Sequence, residues 1–429
     1  MRLVQVLIPN GKKELVFEVL DAEKIDYAIW AETGRQKFEA VVQFVVPAIG
    51  VEPILEKLRE AGISKDAYTV ILTPTTFVSE HTKTLNHRYP GERISREELI
   101  ARAEELAPAT STYISLLILS TAIATAGLLL DSAATIIGAM VIAPLMGPAI
   151  SASVGTVVYN KKLVSRGIFL QVSGLILAIA TAVFIGLVVE HLNLLPYGFD
   201  IRTIPQIAER TNPNFLSLFL ALGSGIAGAL SIIRNAGSAL VGVAIAAALV
   251  PPAATAGLGF AFGHPSVAII ATVLVLINVL AINLSALILL WISGFRPAKT
   301  WAIGQARAKV ASHVVVIIIA IAALSTVLGL VTYISSQTAL MEQQAKEEVS
   351  TMLNEPQYEY MRLTTESIDI DYGPSKFILD EPANVTVILY RNGDNIPVNV
   401  AQRIDERLTK FTGREVAVRV GFIDAQQTD

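Results

Sequence analysis

Seven long apolar runs, packed into one stretch of the chain, limit its possible folds more than any other feature. They cover 110–130, 132–159, 163–189, 214–233, 236–263, 265–293 and 311–335. A helix crosses the hydrocarbon core of a bilayer with ~20 apolar residues, so each run is long enough to span. Charge agrees with this division. Between 109 and 336 stand ten basic and four acidic residues, and the other 56 of the 70 charged residues lie in the flanks. The middle therefore carries +6 and the flanks −10, a net −4 in which 16% charged residues describes neither part. A single soluble globule is excluded, as is a nucleic-acid binder working through a basic surface. The chain has no cysteine, so thiol chemistry and thiolate metal sites are excluded too. The opening MRLVQVLIPNGKKE has no small-residue cleavage pattern, and no signal peptide is expected.

The flanks read as soluble modules. Strand-like patterns at 2–9, 25–32, 37–47 and 68–73, with helix-like patterns at 12–21 and 51–61, give the order βαββαβ of a ferredoxin-like sandwich over 1–78. A linker and amphipathic helix follow over 79–109, opening on a capping box, Ser95 and Glu98. The transmembrane domain is expected over 110–335. Beyond it, 336–429 reads as a small α/β domain with a helical stretch at 339–354. Basic residues set the orientation. With the N-terminus cytoplasmic, that side receives Arg93, Arg96, Arg102, Lys161, Lys162, Arg166, Arg234, Arg296, Lys299, Arg307 and Lys309, against Arg202 and Arg210 opposite. Seven spans then place the C-terminal domain outside the cytoplasm of a multi-pass cell-membrane protein.

A shift of 104 residues aligns IGAMVIAPLMGPAISASVG (137–155) with VGVAIAAALVPPAATAGLG (241–259), seven identities falling between Gly138 and Gly155. Pro148 meets Pro252, and Asp131 meets Asn235 at the head of each copy. Each copy is the middle of three runs, so 110–190 and 214–293 form a 3+3 inverted repeat followed by a seventh helix at 311–335. Proline in mid-span removes an N–H and frees carbonyls that must then face water, protein or a solute. The expected solute pathway is Pro144, Gly147, Pro148, Ser151 and Ser153 in one copy, Pro251, Pro252, Thr255 and Gly257 in the other, and Asn278 beside them. Asp131, Arg234 and Asn235 stand at span ends, as caps, anchors or a pore mouth. Gln171, Ser173, Asn283 and Ser285 are read as interhelical hydrogen-bonders or pathway lining.

The strings IGAMVIAPLMGPAIS and GVAIAAALVPPAA resemble an uncharacterised hydrophobic-domain family, domain of unknown function 389, over roughly 110–294. The resemblance implies a prokaryotic polytopic membrane protein and brings no substrate and no catalytic residue.

No carboxylate lies deep in a run, which disfavours a proton or sodium exchanger. The five histidines are scattered, and no HExxH, P-loop or GxGxxG pattern is present. Gly223-Ser224-Gly225 lacks the flanking glycine of a serine nucleophile. No enzyme, metal or cofactor is therefore expected. The leading reading is a passive or secondary transporter of a small anion or neutral polar solute, built on two Pro-broken helices at the midplane. The alternatives are an oligomeric channel gated by the soluble domains and a non-transporting sensor or scaffold. The expected partners are the lipid bilayer, a small solute or ion, and further copies of the chain in a homo-oligomer, with no nucleic acid.

Overall fold

The computed structural model describes residues 1–31, 38–63, 68–74, 85, 87–89, 93–106, 109–192, 194–196, 199–211, 215–234, 238–297, 300–353, 361–371, 383–391, 399–412 and 416–424. The chain opens with β1 (Arg2–Pro9), α1 (Lys13–Ala22), β2 (Tyr27–Ala31), β3 (Phe38–Val46), α2 (Val51–Glu60) and β4 (Thr69–Leu72). The strands form one antiparallel sheet in the order β2-β3-β1-β4. Alternation along β1 turns Val4, Val6 and Ile8 inward, opposite Phe44, Val42 and Ala40 of β3. Val16 and Leu20 of α1 and Ile54 and Leu58 of α2 close the same core.

Helix α3 (Arg96–Glu105) joins this sheet to the apolar helices. Ser95 caps it, its Oγ accepting the Glu98 N–H at 3.2 Å. The reciprocal half of the capping box is replaced, because the Glu98 carboxylate accepts from Arg2 Nε and Nη2 at 2.8 and 2.9 Å and from Arg102.

The apolar runs fold as α4 (Thr110–Leu129), α5 (Ala133–Ile142), α6 (Met146–Val157), α7 (Lys161–His191), the short α8 (Pro205–Thr211), α9 (Phe215–Arg234), α10 (Ser238–Ala261), α11 (Pro265–Ile292) and α12 (Thr300–Leu353). Six of these helices are long and apolar enough to cross a membrane, and α5 with α6 is a bent pair that makes a seventh if it is one span. The protein is thus a multi-pass membrane protein. Two expectations need correction. The fifth run is not broken: Pro251 and Pro252 lie inside a continuous α10. The seventh run is not separate from the helix expected after it, because α12 is one helix of 54 residues, about 80 Å long at 1.5 Å per residue.

That length carries α12 to the C-terminal sheet. Strands β5 (Met361–Asp371) and β6 (Ala383–Arg391) pair antiparallel, and β7 (Val416–Asp424) adds parallel to β6 after the amphipathic α13 (Val400–Thr412). Ala345, Val349 and Met352 at the end of α12 share a core with Val385, Val387 and Ile404.

Positions 104 apart close their helical hairpins alike. Tyr159 and Gly263 both adopt positive φ, +60° and +66°. One residue on, the N–H of Asn160 reaches Gly155 O and that of His264 reaches Gly259 O, each at 2.8 Å. Both are the six-to-one bond of a Schellman cap. A Cβ on Gly155 would sit 2.7 Å from Val164 N, and one on Gly259 2.5 Å from Ala268 N. Glycine is required at both because the following helix passes against the backbone.

Candidate functional site

The first Pro segment is a true break. Pro144 pushes the residue before it out of helical conformation, and Ala143 stands at φ −64°, ψ 121°. The chain bends by 49° and restarts at Met146. Pro148 then falls in the first turn of α6, where a missing N–H costs nothing. The carbonyl of Ala139, left at the frayed end of α5, accepts from Ser120 Oγ at 2.7 Å. No side chain caps the N-terminus of α6, and Met146, Gly147 and Pro148 are all buried.

This break lies against the second Pro-bearing helix. Ala143 belongs to one apolar cluster with Ala246, Val250 and Ala254 of α10, and Leu145 and Ala247 pack on it. In α10, Pro252 leaves the carbonyl of Ala248 without its helical donor. Asn278 of α11 supplies one, its Nδ2 donating to Ala248 O at 2.8 Å. Ser224 of α9 likewise donates to Ala244 O at 3.1 Å and to Leu220 O. The Gly-Ser-Gly serine is therefore held by backbone carbonyls. Three buried atoms near these helices, Thr121 Oγ1, Thr255 Oγ1 and Asn278 Oδ1, have no hydrogen-bond partner among the described residues.

The expected pathway residues separate into groups. Pro144, Gly147, Pro148, Pro251, Pro252, Thr255 and Asn278 lie in α10, in α11 or at the break with its restarted helix. Ser151 is turned elsewhere, its Oγ donating to Ala103 O of α3 at 2.6 Å. Gly257 is a packing glycine, where a Cβ would stand 2.4 Å from Ala182 Cβ and 2.7 Å from Ile179 O of α7. Ser153 donates to Ala149 O at 3.1 Å and to Asn283 O at 3.3 Å. Asp131 occupies the exposed α4–α5 turn with φ +49°, and Ser132 after it caps α5 by accepting the Thr135 N–H. Arg234 is exposed at the end of α9, and Asn235 lies outside the described residues. Among the described residues no group of three His, Asp or Glu is placed to hold a metal.

Ser153 also borders a cavity of about 330 Å³ between α6, α7, α11 and α12. Its walls are mostly aliphatic, with Thr156, Gln171, Asn283 and His313 as the other polar members. Asn283 Nδ2 donates to Gln171 Oε1 at 2.7 Å, and Gln171 Nε2 donates to Pro148 O at 3.0 Å. In sequence this amide pair reads as interhelical hydrogen-bonders or pathway lining, and the cavity beside it is not placed. The available signal was that Gln171, Asn278 and Asn283 are the only amide side chains in α7 and α11.

Residues 140–284 match the family described as domain of unknown function (DUF389). The chain is 34% identical over 307 residues to the uncharacterized protein MJ0678 of Methanocaldococcus jannaschii, covering 72% of this chain and 92% of that protein. No solved structure gives a significant match. The chain belongs to the DUF389 family.

Proposed function

We propose that this protein moves a small anion or neutral polar solute across the membrane, as a passive or secondary transporter, past the α5–α6 break where it faces α10. The carrying observation is that break: a helix N-terminus without a side-chain cap, at buried residues, beside a second Pro-bearing segment. An N-terminal first turn presents N–H groups and a partial positive charge, which suit an anion or a polar oxygen. Matching Schellman caps 104 residues apart support reading the two triplets as an inverted repeat. In the same reading the N-terminal sheet is a ferredoxin-like cytoplasmic module and the C-terminal sheet lies outside.

A specific set of contacts favours regulation from the N-terminal module. Through α3 it holds both triplets, by Ser151 to Ala103 O and by the Ile94 N–H to Ile233 O at 3.2 Å. The test is uptake by proteoliposomes across a panel of anions and neutral polar solutes. Pro144→Ala, which returns an N–H at the break and lets the helix continue, is expected to lower uptake at least tenfold in protein that elutes as wild type. Failure of every solute to exceed empty-liposome background would remove the proposal.

A further inference from the structure

None of Ala143 to Pro148 lines the 330 Å³ cavity, although its Gln171 reaches Pro148 O, and two lysines stand on the helix faces that line it. Ile168, Val172 and Leu175 of its wall follow Lys161 along α7 at spacings of 7, 4 and 3, one helical face. On α12, His313 and Ile317 follow Lys309 at spacings of 4, again one face. The turn that leads into α7 meets α12 at this end: Lys309 Nζ stands 4.9 Å over the Tyr159 ring, and the Tyr159 hydroxyl donates to Gln305 Oε1 at 3.1 Å. Lys161 and Lys309 are exposed, and no acidic residue occurs between Asp131 and Glu190 or between Glu209 and Glu342. The wall lies about 10–20 Å along α7 from Lys161, the depth of one leaflet's chains in a core ~30 Å thick. At about 330 Å³ its size is at the lower end of small-molecule sites.

We infer that this cleft is a binding site for one anionic phospholipid, with an acyl chain between α7, α11 and α12 and the phosphate at Lys161 and Lys309. Apolar walls alone would accept any bilayer lipid. The exposed lysines at headgroup level select the anionic one.

The experiment is native mass spectrometry of the full chain in detergent, with phosphatidylglycerol and phosphatidylcholine added in equal amounts. Wild type is expected to retain one phosphatidylglycerol in preference. Exposed Lys161→Gln and Lys309→Gln should each weaken that retention about fivefold, and together about 25-fold, from ~1 kcal/mol per basic residue at an anionic surface. Ile317→Trp, filling the cavity with both lysines intact, should abolish retention of either lipid. Val279→Phe serves the same purpose if the first variant does not elute as wild type. Equal retention of the two lipids, or retention unchanged in the double lysine variant or the filled variant, would overturn the inference.

Discussion

Asn278 offers the sharpest test of how α10 stays helical through two prolines. Its Nδ2 donates to the one carbonyl, Ala248 O, that Pro252 deprives of a helical partner. Both residues are nearly inaccessible, Asn278 at 3% and Ala248 at 2% exposure. An acceptor left unpaired in such a place costs ~1–3 kcal/mol, while measured hydrogen bonds between membrane helices average ~0.6 and reach ~1.7 kcal/mol. Asn278→Leu keeps the branched shape and removes the donor, and it also removes Oδ1, a buried atom with no partner among the described residues. The net loss expected is therefore about 1 kcal/mol, between those two ranges. Pro252→Ala restores a backbone N–H aimed at Ala248 O. In that background Asn278→Leu should cost no more than ~0.3 kcal/mol, a coupling energy of about 1 kcal/mol. The assay is reversible unfolding of the four proteins in mixed micelles as the fraction of denaturing detergent rises. Additivity within ~0.3 kcal/mol would refute the argument, because it would mean that the amide and the proline do not act on the same carbonyl.

Glycine substitutions separate close packing from mere presence in a span. Gly259→Ala, whose Cβ would lie 2.5 Å from Ala268 N, should lose about 1–3 kcal/mol by the same unfolding assay. Gly223→Ala has no atom within 4 Å and should gain about 0.5–1 kcal/mol from better helix propensity. Ser151→Ala should raise amide hydrogen exchange in α3 by releasing Ala103 O, with uptake of label elsewhere in the core unchanged. In the N-terminal sheet, burial opposes the Glu23 carboxylate, but bonds from Lys57 and Tyr89 and the Arg88 charge hold its pKa below the usual value. A lowered folded pKa gives stability that is present above the unfolded value and lost as pH falls through the folded one. Exchange protection of α1 and α2 should accordingly fall on acidification below the unfolded value of ~4.3, and Glu23→Gln should flatten that dependence. Burial and the Glu23 bond push Tyr89 up to about 12, so its contribution is complete below ~10 and lost as pH rises through about 12.

The elements were legible wherever one local pattern dominated. Alternation in 2–9 and 37–47 marked the paired strands β1 and β3, and Ser95 marked the start of α3. The site was legible only in part, for two physical reasons. First, the consequence of a proline depends on a partner remote in sequence. Nothing local to Pro252 reveals that Asn278 will cover Ala248 O, 30 residues away. Second, a hydroxyl in a span reads the same whatever it faces. Ser151 and Ser153 are two residues apart, yet one bonds α3 and the other borders the cavity. Ser224, weighed in sequence only as a nucleophile, is the equivalent of Ser120, 104 residues earlier: both reach the neighbouring helix, at Ala244 O and Ala139 O.

The two Pro segments differ at two aligned positions: Pro144, which turns Ala143 out of the helix, meets Ala248, and Gly174 meets Asn278. Pro148 and Pro252 occupy matched positions, but Pro148 falls in the first turn of α6, where no helical bond is lost, whereas Pro252 frees Ala248 O inside α10. Asn278 covers that carbonyl, and its counterpart, 104 residues earlier, is Gly174. Glycine there has no donor to offer. It also has no room for one, since a Cβ would fall 2.1 Å from Tyr113 Oη, which donates to Leu170 O at 2.9 Å. One copy thus keeps its helix through an amide from the third span of its triplet. In the other copy that space is given to a tyrosine, and the chain opens at Ala143. Under the proposed transport role, Pro144 opens the break, and Gly174 offers no amide to bridge it. An amide there would need Tyr113→Ala, since Tyr113 Cζ would still lie 3.1 Å from a Cβ at 174 if the hydroxyl alone were removed, and Gly174→Asn with Tyr113→Ala is expected to lower proteoliposome uptake further only when Pro144→Ala has let the helix continue.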